Sequence, residues 1–235
     1  MAVQVFNGYG PAPRAAVVLL SGLDSAAALH WARERFAPVV AVGFDYGQPR
    51  AELVAAQAIA ERRGVAWIMR PIPEIGERSS DAGRDASGVS RAFVPARNGI
   101  LAWHAANVAA RAFPGGRVSI VLGCNMDDSV GFPDCRPAFL RGISASIADG
   151  LSGAVCIKVE APWVYSRKAE IVALMAKRPE ALADMRAAVS CYRGTRCGTC
   201  DACTLRALAF AEAGVEDGEE APPEVCGGDP AREAR

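Results

Sequence analysis

Ala15-Ala16-Val17-Val18-Leu19-Leu20-Ser21-Gly22-Leu23-Asp24-Ser25 joins an unbroken apolar run to a short polar turn, and an alanine-rich segment follows to about Phe36. A short apolar run of this kind is typical of a strand buried on both faces of a parallel sheet. The alanine-rich segment favours a helix. The stretch therefore predicts the strand–turn–helix unit with which an α/β fold begins.

The same alternation continues along the chain. We predict further strands at residues 39–44, 65–69, 117–122 and 156–159, and helices at 50–63, 97–112, 136–148 and 166–177. Strands that alternate with helices predict a doubly wound, mostly parallel α/β sheet. Ligands of such sheets bind beyond the carboxyl ends of the strands, so the polar residues there are the candidates for function.

The turn Ser21–Ser25 is a candidate anion site. Its backbone N–H groups and the start of the next helix converge on one point, and the Ser21 and Ser25 hydroxyls add donors. Asp24 or Ser25 are also suited to capping that helix. An ordinary capped turn is about as frequent, so the segment alone leaves both interpretations open.

One further strand end and two helix starts carry polar candidates. Asp45 and Gln48 follow the second strand. Arg97 opens a helix, where its charge opposes the helix dipole unless an anion binds nearby. Lys168 opens a later helix and is suited to neutralising a phosphate. For each of them, a solvated loop or helix face remains the alternative interpretation.

The end of the fourth strand is rich in chemistry-bearing residues. Asp127 and Asp128 are candidates for Mg²⁺, which prefers carboxylates together with phosphates. Phe132 offers a ring that can stack on a flat heterocycle. The Asp134 carboxylate is suited to accepting hydrogen bonds from an amino-pyrimidinone edge.

Four of the eight cysteines lie close together near the end of the chain. Cys191, Cys197, Cys200 and Cys203 have the spacing x5, x2 and x2, with glycines between them. Four thiolates at this spacing predict a tetrahedral zinc site, and a closed site of four ligands is structural. A non-catalytic zinc-binding module is the alternative interpretation of this cluster.

The composition excludes several classes of protein. The chain has 26 basic and 26 acidic residues and no net charge, so strong nucleic-acid binding is not expected. No apolar run reaches the roughly 18 residues of a membrane span. The segment Met1–Phe6 lacks the features of a signal peptide, so we expect a cytoplasmic protein with no membrane partner and with reduced thiols.

Taken together, these motifs resemble the 7-cyano-7-deazaguanine synthase family of N-type ATP pyrophosphatases, which acts in queuosine biosynthesis. The cysteine cluster and the segment Phe132–Arg136 are the specific parts of the resemblance. The matching segments are 15–25, 44–48, 94–98, 131–137, 168–171 and 190–206.

The resemblance implies an adenine nucleotide alpha hydrolase-like domain at residues 12–180, a zinc-binding helical subdomain at 181–214 and a flexible tail at 215–235. It implies that 7-carboxy-7-deazaguanine is adenylated by ATP, and that ammonia converts it through an amide to the nitrile. The implied cofactors are ATP, Mg²⁺ and structural Zn²⁺, and a homodimer is a possible assembly.

The resemblance also assigns roles to residues. It implies catalytic roles for Asp24, Arg97 and Lys168. It implies ATP binding by Ser21, Gly22, Leu23, Asp24, Ser25, Asp45 and Gln48, and substrate binding by Phe132, Asp134 and Arg136.

The chain departs from the family pattern in places. The family loop is Ser-Gly-Gly-x-Asp-Ser, whereas Ser21–Ser25 has one glycine fewer. Asn125–Asp128 and the residues before Ser190 also differ. These departures keep open a relative that stops at the amide, or one that joins the deazapurine carboxylate to another amine on a protein or metabolite.

Overall fold

A five-stranded parallel sheet forms the centre of the protein in the computed structural model, which describes residues 14–76, 83–151 and 153–218. The strands are β1 (Ala15–Leu19), β2 (Val39–Asp45), β3 (Ala66–Pro71), β4 (Arg117–Val121) and β5 (Cys156–Glu160). Their order in the sheet is β3-β2-β1-β4-β5, and every neighbouring pair is parallel. The predicted doubly wound parallel sheet is confirmed.

Eight helices in the described residues surround the sheet. They are α1 (Leu23–Arg33), α2 (Arg50–Arg62), α3 (Arg97–Ala112), α4 (Met126–Gly131), α5 (Pro137–Gly150), α6 (Lys168–Met175), α7 (Pro179–Ala187) and α8 (Asp201–Glu212). One apolar core lies between the sheet and α1, α2, α6, α7 and α8. The other lies between the sheet and α3 and α5. None of these helices is long and apolar enough to span a bilayer.

The central strand β1 shows why the sheet is covered on both faces. Ala16 and Val18 belong to the first core and Val17 to the second, and all three are fully buried. Side chains alternate between the faces of a strand, so an unbroken apolar run needs helices on both sides.

The strand order indicates where a ligand-binding cleft lies. β1 lies between β2 and β4, and the order of connection reverses at the β1–β4 neighbours. Ligands of open α/β sheets bind at such a reversal. Gly123, just after β4, lies so close to α1 that an added Cβ atom would be 2.6 Å from the Ser25 backbone nitrogen.

The C-terminal segment is anchored by one buried arginine. Arg206 of α8 donates hydrogen bonds to the carbonyls of Ala188 and Arg186 at the end of α7, at 2.6 and 2.9 Å. It also pairs with Asp217 at 2.7 Å. Residues 215–218 form no helix or strand. The rest of the predicted flexible tail, residues 219–235, lies outside the described residues, and the predicted domain boundaries remain predictions.

Candidate functional site

An open cavity of about 200 Å³ lies at the carboxyl ends of β1, β2 and β4. Its walls come from the turn after β1, the starts of α3 and α6, and the segment around the cysteine cluster. Ten of the predicted site residues line it: Ser21, Gly22, Leu23, Asp24, Ser25, Gln48, Arg97, Asp128, Phe132 and Lys168.

The turn after β1 is held largely by its own hydrogen bonds. The Ser25 hydroxyl accepts a hydrogen bond from the Ser21 N–H at 2.8 Å and donates one to the Gly22 carbonyl at 2.7 Å. The Leu23 N–H, the first of α1, donates to the Ser190 hydroxyl at 3.0 Å. The Ser25 hydroxyl therefore shapes the turn, and a residue far along the chain completes it.

A buried lysine lies beside this turn between two carboxylates. Lys168 Nζ is 2.7 Å from Asp24 Oδ2 and 3.4 Å from Asp128 Oδ1, and Lys168 is only 8% exposed. Burial opposes its charge, but the attraction of Asp128 and Asp24 outweighs burial and raises the pKa of Lys168 above its ordinary value. Lys168 is therefore a fixed positive charge at the cleft.

Asp24 remains incompletely satisfied in this cluster. Its Oδ1 atom is buried and has no hydrogen-bond partner among the described residues. Burial raises the pKa of Asp24, whereas Lys168 lowers it and Asp128 raises it further. An unpaired buried acceptor is costly. Contact with a cation or a hydrogen-bond donor that enters the cleft would therefore stabilise this oxygen.

Arg97 brings a second cation to the cleft. Its guanidinium donates to the Tyr46 hydroxyl at 3.2 Å and lies over the Tyr46 ring at 5.7 Å. Its Nε atom is buried without a partner within the described part of the chain. Burial opposes its charge, but Tyr46 and Asp134 outweigh burial and raise the pKa of Arg97. Arg97 therefore keeps a donor for an anion.

Asp134 lies just behind the cleft wall. It is 2% exposed, and its Oδ2 accepts the Asn98 N–H at 2.9 Å. Its Oδ1 has no partner among the described residues, and burial raises the pKa of Asp134 despite the Asn98 bond and the nearby Arg97. The Asn98 side chain in turn donates to the sulfur of Cys135 at 3.2 Å.

Apart from the four cysteines, four predicted site residues do not line the cavity. Gln48 lines it, but its amide is already engaged. Asp127 accepts the Lys168 N–H at 2.7 Å and thereby caps α6. Arg136 is exposed and donates to the Ser129 carbonyl. Asp45 accepts the Gly47 N–H at 3.3 Å. Asp134, described above, is the fourth of these residues. The Gln48 amide bonds to the Tyr46 N–H and the Phe44 carbonyl within its own loop.

The four predicted cysteines form one cluster, with all four sulfur atoms within 4.8 Å of one another. The sulfur atoms of Cys197 and Cys203 are 3.9 Å apart. The edge of a tetrahedron with Zn–S bonds of 2.3 Å is about 3.8 Å. The geometry is therefore compatible with a structural zinc ion.

The thiols of the cluster differ in their electrostatics. Hydrogen bonds from the Thr199 hydroxyl and from backbone N–H groups lower the pKa of Cys197 to about 5. Burial raises the pKa of Cys203 to about 12. A divalent cation would hold both groups as thiolates, the form that binds metal.

The sequence analysis missed several residues of the cleft: Tyr46, Asn98, Gly123, Ser190 and Tyr192. Gly123 directly follows the predicted fourth strand, and Asn98 lies in the first turn of a predicted helix. These positions were the signals available in the sequence. Ser190 lies in the matching segment 190–206, but no role was assigned to it, because its contact with the turn spans 167 residues.

Comparison with known proteins identifies the family of this chain. The family model of queuosine biosynthesis protein QueC matches residues 15–214, which include all five strands and the four clustered cysteines. The chain belongs to the QueC family.

Proteins named 7-cyano-7-deazaguanine synthase are similar to this QueC-family chain over most of its length. The one from Laribacter hongkongensis is 39% identical, over 86% of this chain and 92% of the relative. The protein from Chromobacterium violaceum is 38% identical, over 87% of this chain and 92% of the relative. The protein from Acinetobacter baylyi is 38% identical, over 90% of this chain and 96% of the relative. The resemblance read from the motifs is confirmed, and these names describe a family of biosynthetic enzymes.

Proposed function

We propose that this chain is an ATP-dependent synthase that converts 7-carboxy-7-deazaguanine and ammonia into 7-cyano-7-deazaguanine. A carboxylate is a poor electrophile, so ATP first adenylates it and pyrophosphate leaves. Ammonia displaces AMP to give the amide. A second adenylation on the amide oxygen and loss of AMP give the nitrile. Each carboxylate oxygen thus leaves on one AMP, and no external oxidant or reductant is needed.

The charge arrangement beside the turn supports adenylation. Lys168 and Arg97 are fixed cations in one cleft, and the start of α1 adds partial positive charge. Charges fixed before the reaction stabilise a developing negative charge at no reorganisation cost. We assign the triphosphate to this side of the cleft, between the turn and Lys168.

Magnesium fits the same side. Asp24 and Asp128 both face Lys168, and Asp24 Oδ1 is buried and unpartnered among the described residues. Carboxylates together with phosphate oxygens are the ligands that Mg²⁺ prefers. We therefore assign the ion to Asp24 and Asp128, since the carboxylate of Asp127 is engaged at the start of α6.

We assign the deazapurine to the part of the cleft beside Phe132. Asp134 lies behind the cavity wall, and its Oδ1 is a buried acceptor without a partner in the described residues. It suits an N–H group of an amino-pyrimidinone edge that inserts beside Phe132. Phe132 is half-buried at the cavity wall, where its ring can contact the flat heterocycle. Arg97 lines the same cleft, and its free Nε suits the reacting carboxylate.

One observation carries the proposal: a single cleft brings together the turn after β1, two fixed cations and Phe132 in a chain of this family. The test is to incubate the purified protein with ATP, Mg²⁺, ammonium and 7-carboxy-7-deazaguanine and to measure products by mass. We expect nitrile with two AMP per nitrile.

Other outcomes separate the alternatives. One AMP per amide, without nitrile, would identify a relative that stops early. Product that requires an amine other than ammonia would identify a conjugating enzyme. Absence of AMP in every mixture, with zinc bound, would favour a non-catalytic zinc-binding module and would contradict the proposal.

A further inference from the structure

The segment that carries the cysteine cluster also forms one wall of the cleft. Ser190, Tyr192, Ala202, Leu205 and Arg206 all line the cavity opposite the sheet. Ser190 directly precedes Cys191. The cluster and the turn after β1 therefore meet at Ser190.

The contact at Ser190 is close and specific. Its Oγ accepts the Leu23 N–H at 3.0 Å, one of the backbone donors that a helix start leaves unpaired. A Cβ atom on Gly22 would lie 2.8 Å from the same oxygen. Glycine at position 22 thus makes room for the hydroxyl of Ser190.

The hydroxyl of Ser190 still has a proton to donate. A serine hydroxyl carries one proton and two acceptor sites, and the Leu23 N–H uses one of the acceptor sites. Within residues 14–76, 83–151 and 153–218, no acceptor for the proton is found. The Ser25 hydroxyl differs, because its proton already goes to the Gly22 carbonyl.

We propose that Ser190 is a phosphate-binding residue of this cleft, whose hydroxyl fixes the first N–H of α1 and donates its proton to a phosphate oxygen of the bound nucleotide. The inference rests on the proposed function, because it places the triphosphate at this turn. It also links the cysteine cluster to nucleotide binding, since Ser190 directly precedes Cys191 in the sequence.

The test is to measure by calorimetry the affinity of the zinc-loaded protein for three probes, with Ser190→Ala beside the wild type. The probes are MgATP, magnesium pyrophosphate and adenosine. A hydrogen bond to a charged group predicts about tenfold to 100-fold weaker binding of ATP and pyrophosphate by the variant. Adenosine affinity and zinc content should not change, and Ser190→Thr, which keeps the hydroxyl, should recover most of the loss.

Ser144→Ala is the matched control. The Ser144 hydroxyl accepts the N–H of Val159, 15 residues along the chain, at 3.1 Å, but Ser144 does not line the cavity. Both variants lose one hydroxyl that accepts a backbone N–H, so the control reports on stability alone. We expect it to bind ATP as the wild type does.

The outcomes separate this inference from the proposed function. If the wild type binds ATP and Ser190→Ala binds ATP and pyrophosphate within twofold of it, Ser190 is only a structural contact and the inference is overturned. Equal weakening for ATP and adenosine overturns it too, because the contact would not be at the phosphates. If the wild type binds neither ATP nor pyrophosphate, the proposed function fails, and the inference fails with it.

Discussion

Lys168 is the residue on which the charge balance of the cleft depends. Two carboxylates, Asp24 and Asp128, face its ammonium group, and all three side chains are largely buried. The sequence predicted a role for each residue separately, from its position after a strand or at a helix start. It did not predict the contact, because 144 residues separate Lys168 from Asp24.

Replacing Lys168 tests its role. Lys168→Met removes the charge but keeps an unbranched side chain, which leaves two partly buried carboxylates without their cation. We expect AMP formation to fall by about 100-fold to 1000-fold, the usual effect of losing one preorganised electrostatic contact. The measurement is the initial rate of AMP release with saturating ATP and substrate.

Lys168→Arg is the control for this variant, because it keeps the positive charge. It should retain more activity than Lys168→Met, with the same zinc content and circular dichroism in both. A Lys168→Met protein that is folded and releases AMP within tenfold of the wild-type rate would show that the lysine only neutralises its neighbours.

At the scale of elements, the position of α1 depends on the end of β4. Gly123 approaches the backbone of Asp24 and Ser25 so closely that any side chain there would overlap it. Glycine is required here because there is no space for a side chain. The backbone conformation does not require it, since Gly123 does not have a positive φ. A sequence alone cannot reveal such a requirement, because it depends on the register of β4 against β1.

Gly123→Ala should therefore damage both stability and ligand binding. The added methyl group must push α1 away from the cleft, and such overpacking costs about 2 kcal/mol of the free energy of unfolding. We expect ATP affinity to fall at least tenfold as the turn moves. Chemical denaturation and calorimetry are the measurements.

Gly142→Ala provides the contrast within helix α5. An added Cβ atom there meets no atom within 4 Å, so the change should raise the free energy of unfolding by about 0.5–1 kcal/mol. Equal effects of the two substitutions would mean that the contact at Gly123 does not restrain α1.

The elements differ in how well the sequence predicted them. The five strands were predicted within about two residues at each end. β1 and β2 form nearly unbroken apolar runs, as expected of strands buried on both faces of a sheet. Helix α4 was missed, and α7 and α8 were covered only by the helical subdomain expected at residues 181–214, without bounds of their own. The six residues of α4 are too few for a helical period, and α4 begins at a local cap, in which Asn125 Oδ1 accepts the Asp128 N–H at 2.9 Å.

At the scale of the whole molecule, Asp184 connects three helices behind the sheet. It is fully buried in α7 and accepts hydrogen bonds from His30 of α1 at 2.8 Å and from Arg63, just after α2, at 2.5 Å. Burial alone would raise the pKa of Asp184, but the hydrogen bonds from His30 and Arg63 outweigh it and lower the pKa. Neither the His nor the Asp was singled out from the sequence.

Asp184→Asn tests this connection through pH. Breaking a buried ion pair predicts a loss of roughly 3 kcal/mol in the free energy of unfolding at pH 7. A carboxyl group with a lowered folded-state pKa stabilises above its unfolded value of about 4, and the effect is lost as pH falls through the folded value. The difference between wild type and variant should thus be constant from pH 8 to 5 and shrink in stronger acid.

Asp149→Asn is the control, because Asp149 is exposed on α5. Its effect on the free energy of unfolding should stay within about 0.5 kcal/mol at every pH, as for most surface changes. A difference for Asp184→Asn that does not change between pH 7 and pH 2 would contradict the assigned cause.

At this scale, the sequence predicted the cysteine cluster but not its position in the fold. Its spacing predicted four converging thiols, and the structure brings them together. Its placement against the cleft was not predictable, since it depends on how α8 packs on α6 and on Arg206 at the end of α7. The segment that carries the cluster therefore forms part of the cleft wall, although the cysteines themselves do not line the cavity.

The fate of the carboxylate oxygens tests the proposed synthase reaction most directly. The measurement is to supply 7-carboxy-7-deazaguanine labelled with ¹⁸O in both carboxylate oxygens, with ATP, Mg²⁺ and ammonium, and to follow AMP and deazapurine products by mass. We predict nitrile without label, with two AMP formed per nitrile and one ¹⁸O in each AMP. Unlabelled AMP, or nitrile formed without AMP, would contradict adenylation of the carboxylate and with it the proposed function.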